Sequence, residues 1–561
     1  MKIKNWLNSN KNLLLLTVAL SLFAFYLGLH SPFYLDDFTS IMESPWIRGG
    51  ESIDPLLNAY GERALGYLTF WFNFHYMGTS PESFRLINIL IHLATATLLF
   101  AFLYSIQNDN SNNYRKLVAY SGALIFLLHP LNTQAVTYIV QRLASMTGFW
   151  VLLSCYCFYL ARAKKMVWLY LFAVLAFALG FFTKQNAIIT PLLWYAIDRF
   201  AINRARPWRY DIVGLAGLCT VALVVAWLYW PTIDALTRET DDVTRFDYFL
   251  VQGPILWQYI GNFFFPANLR LEYGIYSNPY PLWLSVLAWT AHVIVVISAF
   301  LLRKRIWLVT LGVAWYYIAH LVESSVIPIT DFAFEHRTYL PNIGLVIALM
   351  PLVRYLLKLP KQRGLYALIA VVLLLTATTA YRNYQWANPY VFYQNELSYN
   401  PDNQRVKNEL ARYALDNGKY ELGLELFEEM LANGNVKLTE SLLINLMVAY
   451  GNVEEWDKAK QYEQIALRNI NRMHPSYRAR IYLNQGIRLK ETGQCEKAYD
   501  SFEQVQRLFN GEFSSLLFRT QCDLRTGNIE RARKMVKELY RKRPSDPRVE
   551  EIVQQLSSSR P

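Results

Sequence analysis

Apolar positions are unevenly distributed along the 561 residues. Up to residue 381 they gather in long runs separated by short polar loops. From residue 404 they recur every three or four positions among Glu, Lys, Arg and Gln. The first pattern is that of helices apolar all round, and the second that of amphipathic helices. The pattern predicts an all-α chain: a polytopic membrane domain over 1–381, a linker over 382–403 and a soluble helical domain over 404–561. About 11 segments are candidates to span, at 13–29, 84–104, 117–133, 137–160, 166–182, 186–198, 211–230, 281–301, 306–322, 342–357 and 364–381. Two aromatic stretches, 64–75 and 248–265, do not fit as spans and are expected to lie in the interface or re-enter. The second is broken by Gly253-Pro254 and stopped by Pro266.

The amphipathic part repeats. Gly423, Ala459, Ala498 and Ala532 stand 36, 39 and 34 residues apart, each inside a helix-turn-helix pattern. Small residues where paired helices cross, at a period near 34, resemble tetratricopeptide repeats. Four units and a capping helix over 545–557 would build a solenoid with a concave face for a peptide or protein.

Charge then orients the membrane domain. The net charge of +12 could suggest nucleic acid, but basic residues cluster in alternate loops, at Lys2/Lys4/Lys11, Arg115/Lys116, Arg162/Lys164/Lys165, Arg199/Arg204/Arg206/Arg209, Arg303/Lys304/Arg305 and Lys358/Lys361/Arg363. That is the mark of cytoplasmic loops, not of a DNA-binding face. The N-terminus is expected inside as a retained signal anchor, with the repeats outside. In a bacterium this is the inner membrane and the periplasm. The polar residues Asp36, Asp37, Arg63, His75, His129, Gln134, Lys184, Glu323, Asp331, Glu335, His336 and Arg337 then all fall on the outer face. Arg85, Asn88 and His92, at i, i+3 and i+7, form one polar stripe on a spanning helix. Charged groups at a membrane boundary are costly and mark a functional site by default. The adjacent carboxylates Asp36 and Asp37 are the first candidates. Cys155, Cys157 and Cys219 read as small buried hydrophobes, whereas Cys495 and Cys522 lie in neighbouring repeat units and could pair.

Six motifs in order carry a family resemblance: Tyr34-Leu-Asp-Asp37, Arg63-Ala-Leu-Gly-Tyr-Leu-Thr-Phe-Trp-Phe-Asn73, Phe84-Arg-Leu-Ile-Asn-Ile-Leu-Ile-His92, His129-Pro-Leu-Asn-Thr-Gln-Ala-Val136, Thr183-Lys-Gln-Asn186 and Glu335-His-Arg-Thr-Tyr-Leu-Pro341. With the repeats, they resemble bacterial relatives of the transmembrane and tetratricopeptide-repeat O-mannosyltransferases, proteins of the GT-C glycosyltransferase fold. Eukaryotic members usually have Lys-Glu-Gln where this chain has Lys184-Gln185-Asn186, and Thr-Glu-Ala where it has Thr133-Gln134-Ala135. The resemblance implies a polyprenyl-phosphate-linked sugar as donor and a Ser/Thr hydroxyl of an exported protein, such as a pilin or another secreted protein, as acceptor.

Such chemistry needs a base for the hydroxyl and cations for the departing phosphate. Asp36 or Asp37 is assigned as base, with Asp37 slightly favoured, and the other carboxylate would orient the acceptor or bind metal. Arg337 and Lys184 would hold the phosphate, supported by Arg142 or His336. Glu335, His129, Arg63, Arg85 and His92 would support the site. Mg²⁺ or Mn²⁺ held by Asp36, Asp37 and Glu335 and a metal-free reaction are both consistent with the sequence. The rival readings are an oligosaccharyltransferase or other lipid-linked sugar transferase, and a non-catalytic membrane scaffold whose repeats recruit an assembly machine. A transporter is disfavoured, because the charges lie outside rather than at mid-membrane.

Overall fold

The computed structural model describes residues 9–48, 53–107, 111–203, 207, 244–274, 279–325, 328–329, 332–432, 436–509, 511–544 and 546–558. The expected span at 211–230, with Cys219, and the polar residue Asp331 lie outside them. Among the described residues the regular structure is entirely helical. The chain divides into two units, Met1–Asp37 with Ser52–Asn388, and Phe38–Glu51 with Pro389–Pro561.

The first unit contains α1 (Asn10–Leu29), α2 (Ala64–Phe72), α3 (Pro81–Ile106), α4 (Asn112–Leu127), α5 (Arg142–Ala163), α6 (Leu169–Phe181), α7 (Thr190–Ala196), α8 (Arg245–Phe264), α9 (Leu282–Leu301), α10 (Trp307–His320), α11 (Tyr339–Lys358) and α12 (Arg363–Ala387). Among the described residues six helices are long and apolar enough to cross a membrane: α1, α3, α9 and, with the turns that lead into them, α5, α11 and α12. The helices at the other expected spans are shorter, such as α6 with 13 residues and α10 with 14. Leu22, Phe23, Leu287 and Leu374 of this unit stay exposed, while Leu99, Phe126, Val151, Leu311, Ile343 and Ile347 form the core.

Two local features shape this unit. The aromatic stretch at 248–265 is not broken by its proline, because α8 continues through Pro254. Side chains of α9 serve carbonyls flanking it: Trp289 Nε1 donates to Phe249 O at 2.9 Å and His292 Nε2 to Gly253 O at 2.9 Å. Neighbouring helices commonly satisfy backbone around a proline in this way. Further along, α10 and α11 meet at Gly312 and Gly344, where a Cβ on either would collide with the other's carbonyl oxygen. Close backbone approach of this kind is how small residues join membrane helices. The crossing also brings the C-terminal end of α10 to the N-terminal end of α11.

The second unit is built from helix pairs: α13 (Pro389–Tyr399) lies on α14 (Gln404–Asp416), and α14 pairs with α15 (Tyr420–Ala432). The further pairs are α16 (Glu440–Asn452) with α17 (Trp456–Arg468), α18 (Pro475–Glu491) with α19 (Cys495–Leu508), and α20 (Phe513–Arg525) with α21 (Ile529–Lys542). α22 (Pro547–Ser558) packs on α21. Gly423, Ala459, Ala498 and Ala532 are all buried, each the fourth residue of the second helix of its pair. The first helices α14, α16, α18 and α20 form a continuous layer, each touching the next. Part of the expected linker is the helix α13, held by the buried Phe392, Tyr393 and Glu396. A disulfide joins Cys495 of α19 to Cys522 of α20, with Cα atoms 5.4 Å apart.

Candidate functional site

The carboxylate pair follows a tight turn. Asp37 N–H donates to Tyr34 O at 2.8 Å, and Tyr34 N–H donates to Asp37 Oδ2 at 3.1 Å. Between them Leu35 has a φ of 36°, a left-handed conformation that costs a non-glycine residue free energy and persists only where its surroundings impose it. The second oxygen of Asp37, Oδ1, accepts from Val140 N–H at 2.8 Å. Asp37 is fully buried, which pushes its carboxyl up to about 7 against the opposing pull of Arg85 and the two backbone N–H groups. Asp36 is only partly buried, and its backbone N–H donates to Tyr138 Oη at 2.9 Å. The two neighbours therefore differ. Asp37 is clamped inward by backbone, and Asp36 keeps access to solvent.

A second group forms where α10 ends and α11 begins. Lys184 Nζ is ion-paired with Glu323, and both side chains are largely buried. Arg337 adds a second cation and donates to Phe332 O at 3.1 Å. Burial alone would raise the Glu323 carboxyl, but Lys184 and Arg337 outweigh it and hold the group well below the usual carboxylate range. For Lys184, burial lowers the ammonium while Glu323 opposes the shift. His336 joins through Gln134, whose Oε1 accepts from His336 N–H at 2.7 Å and lies 3.1 Å from Nδ1. An amide oxygen only accepts, so in the neutral ring Nδ1 carries the proton and Nε2 the lone pair.

One short segment holds both groups. Gln134 meets His336, Tyr138 meets Asp36 and Val140 meets Asp37. Gln134 and Tyr138 are separated by a single helical turn, about 6 Å of rise. The segment 134–140 contacts both groups, through side chains at Gln134 and Tyr138 and through backbone at Val140. That segment is fixed in turn: Asn342 Nδ2 donates to Asn132 Oδ1 at 2.8 Å, and Thr137 Oγ1 donates to Asn383 Oδ1 at 2.6 Å.

Several other expected site residues are bonded to the surrounding backbone and side chains. Arg142 was expected to support the phosphate. Its three nitrogens donate to Asn88 Oδ1, Thr69 O and Oγ1, Asn73 Oδ1 and Phe84 O, at 2.7 to 3.2 Å. Its guanidinium also lies over the Phe70 ring at 4.4 Å. Arg85 donates to the carbonyls of Thr137, Ser31 and Pro32, fastening the chain ahead of the carboxylates to α3. His92 donates from Nε2 to Leu127 O at 3.0 Å and takes a bond from the Tyr339 hydroxyl at 2.8 Å. His129 donates to Phe263 O at 2.8 Å and accepts from Leu131 N–H at 3.2 Å. Arg63 lies at the exposed surface, bonded to Gln185 Oε1 at 3.0 Å. Glu335 accepts from Arg270 N–H and, at 3.2 Å, from the Tyr273 hydroxyl. Among the described residues no group of three or more His, Cys, Asp or Glu is arranged to hold a metal ion, so Asp36, Asp37 and Glu335 do not form a ligand set. Glu323 escaped the sequence-based site, because a lone glutamate at a helix end carries no motif. Its charge opposite Lys184 was the only signal.

A helical membrane protein with a buried carboxylate turn and a buried Lys–Glu–Arg cluster, both contacted by one short segment, is the class these features define. No protein-family model matches the chain. Among curated proteins, a protein O-mannosyl-transferase of Caenorhabditis elegans is 24% identical over 430 residues, 73% of this chain and 60% of that protein. The Drosophila melanogaster protein O-mannosyl-transferase Tmtc3 is 22% identical over 563 residues, 83% of this chain and 58% of that protein. The human protein O-mannosyl-transferase TMTC2 is 25% identical over 248 residues, 38% of this chain and 29% of that protein. The chain is related to protein O-mannosyl-transferases of this type, and spans 60% or less of the length of each of these relatives.

Proposed function

We propose that the protein is a membrane glycosyltransferase that moves a sugar from a polyprenyl-phosphate-linked donor to Ser/Thr hydroxyls of an exported protein at the outer face of the membrane. The observation that supports this reading is the segment 134–140, which bonds to the Asp36–Asp37 turn at one end and, at the other, to His336, the residue before Arg337. A transfer of this kind needs those two charges side by side. Asp36 takes the acceptor proton, reversing the slight preference for Asp37, because a base must reach the hydroxyl and Asp37 is enclosed. Asp37 orients the turn. As the acceptor oxygen bonds to the anomeric carbon, the carbon–phosphate oxygen bond breaks and the electron pair leaves on the phosphate. Displacement from the opposite face inverts the centre. Arg337 offers the phosphate a bidentate partner, and Lys184, anchored by Glu323, adds a fixed positive charge. His336 positions Gln134. No step is routed through a metal ion. The Cys495–Cys522 disulfide supports an oxidising compartment for the second unit, in keeping with repeats on the same outer side that recruit the acceptor.

Intact-mass analysis of secreted proteins and pilins, from wild-type cells, deletion cells and cells carrying Asp36→Asn, tests this function. Sugar-sized mass increments should vanish in the deletion and stay absent with Asp36→Asn. Identical protein masses in wild type and deletion would refute it, and a change confined to lipid-linked glycans would instead select the lipid-linked sugar transferase.

A further inference from the structure

The segment that follows the carboxylate pair belongs to the other unit. The chain leaves the first unit after Asp37, and Phe38–Glu51 groups with the helix pairs. Three contacts hold it there. The guanidinium of Arg412, on α14, lies over the Phe38 ring at 4.4 Å. Arg480, on α18, pairs with Glu43 at 3.3 Å. The Trp46 ring meets His474, just ahead of α18, edge-on at 5.5 Å. Ile41, Ser44 and Ile47, three apart, are buried, so one face of the segment is turned inward.

These partners lie on the first and third helix pairs, and both helices belong to the continuous layer of first helices. The segment therefore runs along that layer. Its chemistry is specific: an aromatic ring at 38, a carboxylate at 43 and a second ring at 46, met by a guanidinium, a guanidinium and an imidazole. Cation–π and charge-paired contacts of this kind discriminate among peptides more than apolar burial does.

We propose that the first-helix layer of the repeats is a recognition surface for peptide segments that set a carboxylate between two aromatic rings, and that residues 38–48 are its resident ligand. The acceptor-binding role expected for this face is thus already taken, in part, by the chain itself. Because Phe38 directly follows Asp37, displacing the segment would act on the residue next to the carboxylate pair. That consequence rests on the transferase reading, whereas the recognition surface does not.

Hydrogen exchange of the full chain in detergent, read on peptides covering 38–48, tests the proposal. Glu43→Arg places two cations together and should speed exchange there about fivefold or more, the order expected for a half-exposed pair reversed in sign. The double change Glu43→Arg/Arg480→Glu should restore protection, and Phe38→Ala/Trp46→Ala should abolish it with α16 and α20 still protected. Unchanged exchange over 38–48 in Glu43→Arg and in Phe38→Ala/Trp46→Ala overturns the proposal. Sugar transfer by the same proteins is a separate readout. Loss of protection in variants of a chain that transfers no sugar even as wild type would refute the transferase and leave the recognition surface standing.

Discussion

At the scale of single residues, adjacent identical side chains have been given different physics. Asp36→Asn should lower transfer by about 10²–10⁴-fold, the usual worth of a general base, with thermal unfolding nearly unchanged because the group is partly solvated. Asp37 acts on stability instead. Its folded-state value near 7 lies above that of a free aspartate, so the folded chain holds the proton more tightly. The contribution of this group to stability is therefore fully present on the acid side and declines as pH rises through about 4 to about 7. The slope is on the order of 1 kcal/mol per pH unit within that window. Asp37→Asn should remove the decline, and melting temperatures of both proteins between pH 4 and 8 would reveal it. Leu35 offers a third test. Leu35→Gly relieves left-handed strain worth about 1–3 kcal/mol but deletes a buried side chain at about 2–5 kcal/mol, so transfer and melting temperature should both fall.

At the scale of elements, the Gly312–Gly344 crossing of α10 and α11 sets where Glu323 and Arg337 meet. Lys184 reaches them from the turn between α6 and α7. Removing one partner of a buried pair leaves the other uncompensated, at about 3–5 kcal/mol. Glu323→Gln should therefore cost stability on that scale, and also strand two cations side by side. The paired change Lys184→Met/Glu323→Leu should be close to neutral for stability but should weaken donor binding, seen as a raised KM. Thermal melts of the single and double variants separate the two effects. Motifs read from the sequence located most of these positions. Their division into framework and site was not legible, because Arg142 and Lys184 are both lone basic residues near helix ends. Arg142 is surrounded by five acceptors and Lys184 by one carboxylate.

At the scale of the whole molecule, the two units differ in what stabilises them. The first exposes apolar helix faces suited to lipid, and the second closes small cores between helix pairs, stapled by the disulfide. With the bridged cysteines 27 positions apart, Cys522→Ser should destabilise the second unit by about 2–4 kcal/mol. Because both cysteines are buried, denatured protein should take up a thiol reagent at Cys495 and Cys522 only after reduction, whereas equal labelling without reductant would contradict the bridge.

The pattern of apolar residues determined by itself that the chain is helical, that one part suits a membrane and the other pairs amphipathic helices, and that the polar residues of interest flank the helices. Period and run length are local properties, written residue by residue. What only the tertiary structure decided is which of those polar residues meet. Gln134 meets His336, Tyr138 and Val140 meet the Asp36–Asp37 turn, Arg142 and His129 bond to surrounding carbonyls and side chains, and the segment after Asp37 groups with the helix pairs. Each outcome depends on contacts between positions tens to hundreds of residues apart. No spacing along the chain encodes such contacts, and burial, which separates Asp37 from Asp36, exists only once the helices have packed.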